Sequence, residues 1–123
     1  MVNYDSGYLR RGEVKSFVSR HYYGSLATFC SSMDGYPYAS VIPYDVDENG
    51  RLVVCMSSLA EHSNNAKRNE KVSICVGDFS PFVDPLSKPR ITLLGRLEIV
   101  PSAEKLTVSD RFFQRFPEYK TKM

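Results

Sequence analysis

At 123 residues, with 42% hydrophobic and 24% charged side chains, the chain fits one soluble domain with enough apolar material for a real core. A net charge of only +2 without a dense basic stripe argues against nucleic-acid binding. No apolar run is long enough to span a membrane, and the opening MVNYDSGYLRR lacks the apolar stretch of a signal peptide.

The predicted elements run as follows. Val14, Phe17, Val18 and Tyr22 recur at helical spacing and predict an amphipathic helix over 10–22, broken by Gly24. SLATFCS, 25–31, reads as a first strand, and Met33-Asp34-Gly35 supplies hairpin chemistry. A second strand follows over 37–46; Pro37 and Pro43 cannot donate to a ladder, so it needs an edge, a bulge or a free side. DENG at 47–50 is a second hairpin signal, and 51–57 forms a third strand. LAEHSNNAKRN, 59–69, reads as a short helix without a strong apolar stripe, and KVSICVGD, 71–78, as a fourth strand. Pro81, Pro85 and Pro89 make 79–89 an ordered irregular loop. RITLLGRLEIV, 90–100, is a fifth strand in which Gly95 marks a bend or bulge. A last helix over 103–116 places Leu106, Phe113 and Phe116 near one face and ends at Phe116-Pro117. The order α-βββ-α-ββ-α suggests a meander closing toward a barrel: one mainly β domain over 1–123 with flanking helices.

Cys30, Cys55 and Cys75 lie in apolar, strand-like runs without a CxxC, which reads as three reduced core thiols in a reducing compartment. With no Asn-x-Ser/Thr sequon either, the expected location is the cytoplasm. Residues 61–123 carry 11 Lys/Arg against 8 Asp/Glu, a balance that suits an ordinary solvated surface first and a phosphate-bearing ligand second.

The most informative segment is 53–65. Ser58-Leu59-Ala60-Glu61 matches a capping box, the bland and leading reading. A helix start also presents free N–H groups to an anion, and Ser57, Ser58, His62 and Asn65 would surround that point. Arg90, opening the fifth strand, suits a carboxylate or phosphate, although a surface arginine is commoner. Tyr36 and Tyr38 could flank a planar ligand or a partner, or simply pack across strands. The two histidines, His21 and His62, are far apart and no Cys/His spacing suits zinc, so no metal site is expected. There is no G-x-S-x-G elbow, GxGxxG or Walker loop.

Order and spacing make these pieces recognisable. Ala27-Thr28-Phe29-Cys30-Ser31, Gly35-Tyr36-Pro37, Ser40 and Pro43 are followed by Leu59-Ala60-Glu61-His62 with Asn65. DPLSKPRITLLGRL, 84–97, and the tail RFFQRFPEYKT complete the pattern. From about residue 23 onward the chain resembles the FMN-binding split barrels of the pyridoxamine 5'-phosphate oxidase superfamily, nearest to the branch of haem-utilisation and CREG-type proteins. The resemblance implies a homodimer with FMN at the subunit interface. Ser57, Ser58 and His62, with Asn65 nearby, would hold the phosphate, and Ser40 with the backbone of Val41 and Ile42 would line the flavin.

Two departures bear on activity. The oxidases themselves place an arginine where this chain aligns Ser40 and a lysine where it aligns His62, and their C-terminal substrate motif of paired Arg and His has no counterpart here, so vitamin B6 oxidation is not expected. The chain also ends at Met123, before the strands that usually complete the barrel: either it is a truncated form, or those strands are missing or replaced by the partner subunit, and an incomplete barrel would expose sheet edges. Three functions stay open: an FMN-dependent oxidoreductase, a haem-binding or haem-degrading protein with Arg90 on a propionate, and a flavin-free CREG-like interaction protein.

Overall fold

The structure, a computed structural model, describes residues 2–4, 11–57 and 59–121. Its strands are β1 (Val2–Tyr4), β2 (Tyr23–Phe29), β3 (Pro37–Pro43), β4 (Asp45–Val46), β5 (Leu52–Val53), β6 (Lys71–Gly77) and β7 (Arg90–Leu97). Its helices are α1 (Arg11–Ser19), α2 (Glu61–Arg68) and α3 (Lys105–Arg115). Alternation explains the long strands: along β2 and β6 every second side chain is buried, the period that puts one face of a strand into a core.

All seven strands form one antiparallel sheet in the order β3-β2-β6-β7-β1-β5-β4. Across its four long strands the register is unbroken. Ser40, Leu26, Ile74 and Leu93 stand in one row, and Val41, Ser25, Cys75 and Thr92 in the next. The two edge strands, β3 and β4, are separated in sequence by Tyr44 alone. The sheet must therefore curl until its edges meet at that residue, while no ladder joins them elsewhere. The result is a split, unclosed barrel with three flanking helices.

Tyr44 locks this corner. It is fully buried, its hydroxyl donates to Val18 O at 2.6 Å, and its N–H donates to Tyr22 O at 3.1 Å. Around it, Val14 and Val18 of α1 pack on Leu26, Ile42, Ile74, Val76 and Leu93 from the inner face of the sheet. Each such side chain taken fully out of water stabilises the fold by ~1.5–3 kcal/mol. Gly24 belongs to this packing: a Cβ there would lie 2.7 Å from two side-chain carbons of Ile74. A second cluster joins Val53 to Phe112 and Phe116 and fastens α3.

Several expectations need correction. The first helix stops at Ser19, not at 22, and its predicted first residue, Arg10, lies outside the described residues. The strand expected over 37–46 is two, because after Pro43 the chain leaves one edge of the sheet for the other. The strand expected over 51–57 pairs only at Leu52–Val53, and β1, which has no apolar signal, was not anticipated. The last helix turns Phe112 inward, whereas Leu106 is 74% exposed. β7 pairs with β6 in continuous register through Gly95, so no bulge forms against β6 there. The three cysteines are free, but each is partly exposed rather than in the core.

Candidate functional site

The end of α2 and the β2–β3 hairpin are tied by side chains rather than by apolar packing. α2 has no apolar stripe to bury; its buried residues are Ser63 and Asn65. Asn65 is fully buried, and both ends of its amide are engaged: Oδ1 accepts from Ser31 N–H at 2.7 Å and Nδ2 donates to Thr28 Oγ1 at 3.0 Å. Arg68 donates to Ser31 O at 2.7 Å, and Ser32 Oγ donates to Glu61 Oε1 at 3.3 Å. Cys30 Sγ lies 3.4 Å from Ser32 Oγ, a contact that lowers the exposed Cys30 thiol below its ordinary value. A buried amide bonded at both ends rigidifies what it joins, so α2 is held in fixed register with the hairpin.

Against this frame sits one cross-element pair. Ser40 Oγ lies 3.2 Å from His62 Nδ1. Ser40 points to the inner face, but it does so from the edge strand, where β3 has a partner on one side only. Half of the backbone N–H and C=O groups of such a strand remain free to bind. His62 is half-buried, and burial pushes its pKa below the ordinary imidazole value, which keeps the ring neutral at pH 7.

The residues singled out from the sequence thus separate. Ser40 and His62 are brought together. Asn65 is adjacent, but its side chain is spent on Thr28 and Ser31. Val41 turns to the outer face, 76% exposed, while Ile42 is buried. Ser57 is exposed; its Oγ accepts from Leu59 N–H at 3.3 Å and its carbonyl accepts from Ser63 Oγ at 2.5 Å. Ser58 lies outside the described residues. Of the expected capping box, the Ser58 half lies outside the described residues; α2 begins at Glu61, its N-cap is Ala60 with no side-chain cap bond, and the Glu61 carboxylate turns to Ser32. Arg90 stands on β7, three strands from β3, and donates to Pro85 O at 3.3 Å. Tyr36 is exposed and Tyr38 half-buried. Sequence reading missed Thr28, Ser31 and Ser32, whose partners lie 29 to 37 residues away.

The outer face of the sheet is the second feature. Val41 and Leu94 are 76% and 75% exposed, and Phe29 is half exposed. Ala27, Phe29, Pro37 and Leu94 line a shallow trough of about 420 Å³ on this side, bordered by Lys71 and Ser73. At the other end of the molecule, Arg115 is sandwiched near Tyr22, 4.2 Å from its ring centre, with Asp45 at 3.7 Å. It donates to the carbonyls of Ser19 and His21, which fastens α3 to the α1–β2 link. No helix among the described residues is long and apolar enough to cross a membrane.

Similar proteins carry this fold. A chloroplastic non-canonical heme oxygenase, HOZ, of Arabidopsis thaliana is 27% identical over 108 residues, 86% of this chain. The chain spans 32%, about a third, of the length of that relative. A heme-binding protein from Mycobacterium smegmatis superposes with a TM-score of 0.70 at 29% identity, over 84% of this chain and 43% of that one. HutZ, the heme storage protein from Vibrio cholerae, superposes with a TM-score of 0.68 at 25% identity, over 87% and 75%. The sequence profile of pyridoxamine 5'-phosphate oxidase matches residues 11–121, nearly the whole chain, and the protein belongs to that family.

Proposed function

We propose that this chain holds a flat, anionic, redox-active cofactor, FMN or haem, against the Ser40–His62 pair, and that it works as a homodimer. The observation that carries the reading is the 3.2 Å contact between Ser40 on the edge strand and His62 on α2. It sets a half-buried imidazole beside an edge strand whose outer backbone groups are unpaired by the sheet and can bind a ligand. The apolar outer face, with Val41 and Leu94 uncovered, supports the second half of the reading.

The residues fit FMN in part. The hydroxyls of Ser40 and Ser57 and the imidazole can donate to a phosphate, and the free backbone of β3 around Val41 and Ile42 can border a flavin ring. None of these groups carries a fixed positive charge, and Glu61 opens α2 with a negative one. A phosphate dianion would be held mainly by neutral donors, more weakly than by an Arg or Lys. Bound flavin would supply hydride or single-electron transfer, and the protein would orient it and shield it from water. Arg90 could reach a cofactor at Ser40 only from a second subunit.

Haem is the second reading. What favours it is that the relatives reported above are haem proteins by name. The test is a visible spectrum taken after incubation with FMN, and separately with haem, followed by gel filtration. Retained flavin absorbance would support the first reading and a retained Soret band the second. Loss of both chromophores on the column would overturn the proposal.

A further inference from the structure

We propose that the trough on the outer face is filled by the β6–β7 loop of a second copy of this chain, with Phe82 as the plug and Asp84 set against Lys71. This inference rests on the homodimer reading above and adds to it the segment that would cross between the copies.

The loop over 78–89 presents apolar side chains instead of burying them. Phe82 and Leu86 are 94% and 74% exposed, and they belong to neither core cluster. Its backbone is nevertheless tied down. Asp78 Oδ1 accepts from Ser80 N–H at 3.1 Å, Asp84 Oδ1 accepts from Leu86 N–H at 3.0 Å, and Arg90 donates to Pro85 O at 3.3 Å. Pro81, Pro85 and Pro89 each fix a further backbone angle. A loop ordered before contact gives up little entropy on docking, so an exposed phenyl ring on it is a ready anchor.

The trough has the matching character. Ala27, Phe29, Pro37 and Leu94 give it apolar walls around about 420 Å³. That is ample for one phenyl ring, since a dry cavity of roughly 150 Å³ already takes benzene. Lys71 stands at its border, exposed and in no ion pair among the described residues. Asp84 supplies the opposite charge close to Phe82, and among the described residues its second carboxylate oxygen has no hydrogen bond.

Position selects the occupant. The trough lies at the Phe29 and Lys71 end of the sheet, and the loop lies at the other end, beyond Gly77 and Arg90. From Leu94 to Arg90 alone the strand covers ~13 Å. The loop's own bonds keep it at its end, and the trough of the same chain stays open, with Leu94 75% exposed. A two-fold axis lying in the plane of the sheet and across its strands exchanges the two ends. It lays each loop over the other copy's trough, so the contact is made twice and closes at a dimer.

The experiment is sedimentation equilibrium on the full chain over a concentration series. The wild type should dimerise. Phe82→Ala should weaken the dimer by on the order of a hundredfold, because two aromatic anchors are lost at roughly tenfold each. The melting temperature of the dissociated protein should not change, since Phe82 touches no core. Lys71→Glu and Asp84→Lys should each weaken the dimer, because like charges then meet at both contacts. Mixed together, the two charge variants should dimerise again, because each contact then joins opposite charges. A dimer indifferent to Phe82→Ala, or charge variants that do not recover on mixing, would overturn the loop-and-trough contact and leave the homodimer reading standing. A wild type that is monomeric throughout would overturn both.

Discussion

The two faces of the sheet are built from the same strands and have opposite fates. On the inner face the row Leu26, Ile74 and Leu93 is buried, and Ser40 at its edge is half covered by His62. One residue along each strand, Val41 and Leu94 stand in solvent, although they are as apolar as their buried neighbours. A period of two gives each strand two faces, but it does not require the second to be apolar. These uncovered apolar residues are what the proposed second copy would cover. If a second copy covers the outer face, as proposed, stability and assembly are separable here by a shift of one residue.

The largest effect should come from cutting the inner face. Ile74→Ala or Leu26→Ala should cost ~2–5 kcal/mol, the usual range for a fully buried aliphatic chain, read by urea denaturation. Leu94→Ala, on the outer face, should stay within about 0.5 kcal/mol at dilutions where the protein is monomeric. If the two faces gave equal losses, the distinction drawn here would fail.

Next in size is Asn65→Ala. It removes both bonds that tie α2 to Thr28 and Ser31 and leaves buried groups unpaired, for a loss of ~1–3 kcal/mol. Hydrogen exchange should then speed up first in the hairpin and α2, with the β6–β7 ladder keeping its protection. Uniform acceleration through the whole sheet would contradict a local tie.

The smallest effect is a pH dependence. Burial holds His62 below its ordinary value of 6.5 in the folded chain. Below about pH 6.5 the unfolded chain therefore takes up a proton that the folded chain resists, and stability falls as pH drops until the folded pKa is passed. Thermal melts across that range should show this fall in the wild type and a smaller one in His62→Gln. A fall of equal size in both would place its origin elsewhere.

Much of this architecture was legible from sequence because its signals are local. Asp34-Gly35 and Asn49-Gly50 both mark turns, and Gly35 and Gly50 adopt φ of 86° and 80°, which side chains avoid. The alternation of β2 and β6 was equally plain. What local pattern could not give was the change of sheet edge at Tyr44: PYASVIPYDV reads as one strand, and only the tertiary bonds of Tyr44 show why it divides. The site was legible in part through family resemblance, which brought Ser40 and His62 onto one short list. Their meeting across 22 residues is a product of folding. Asn65 shows the converse, a polar residue that looks available in sequence and is consumed by the fold.

The most direct test of the two-faced sheet is sedimentation equilibrium on the wild type and on the double variant Val41→Glu, Leu94→Glu. The account predicts a dimeric wild type, and a monomeric variant that keeps its circular dichroism and the melting temperature of the dissociated wild type. A monomeric wild type, or a double variant that still dimerises, would contradict it.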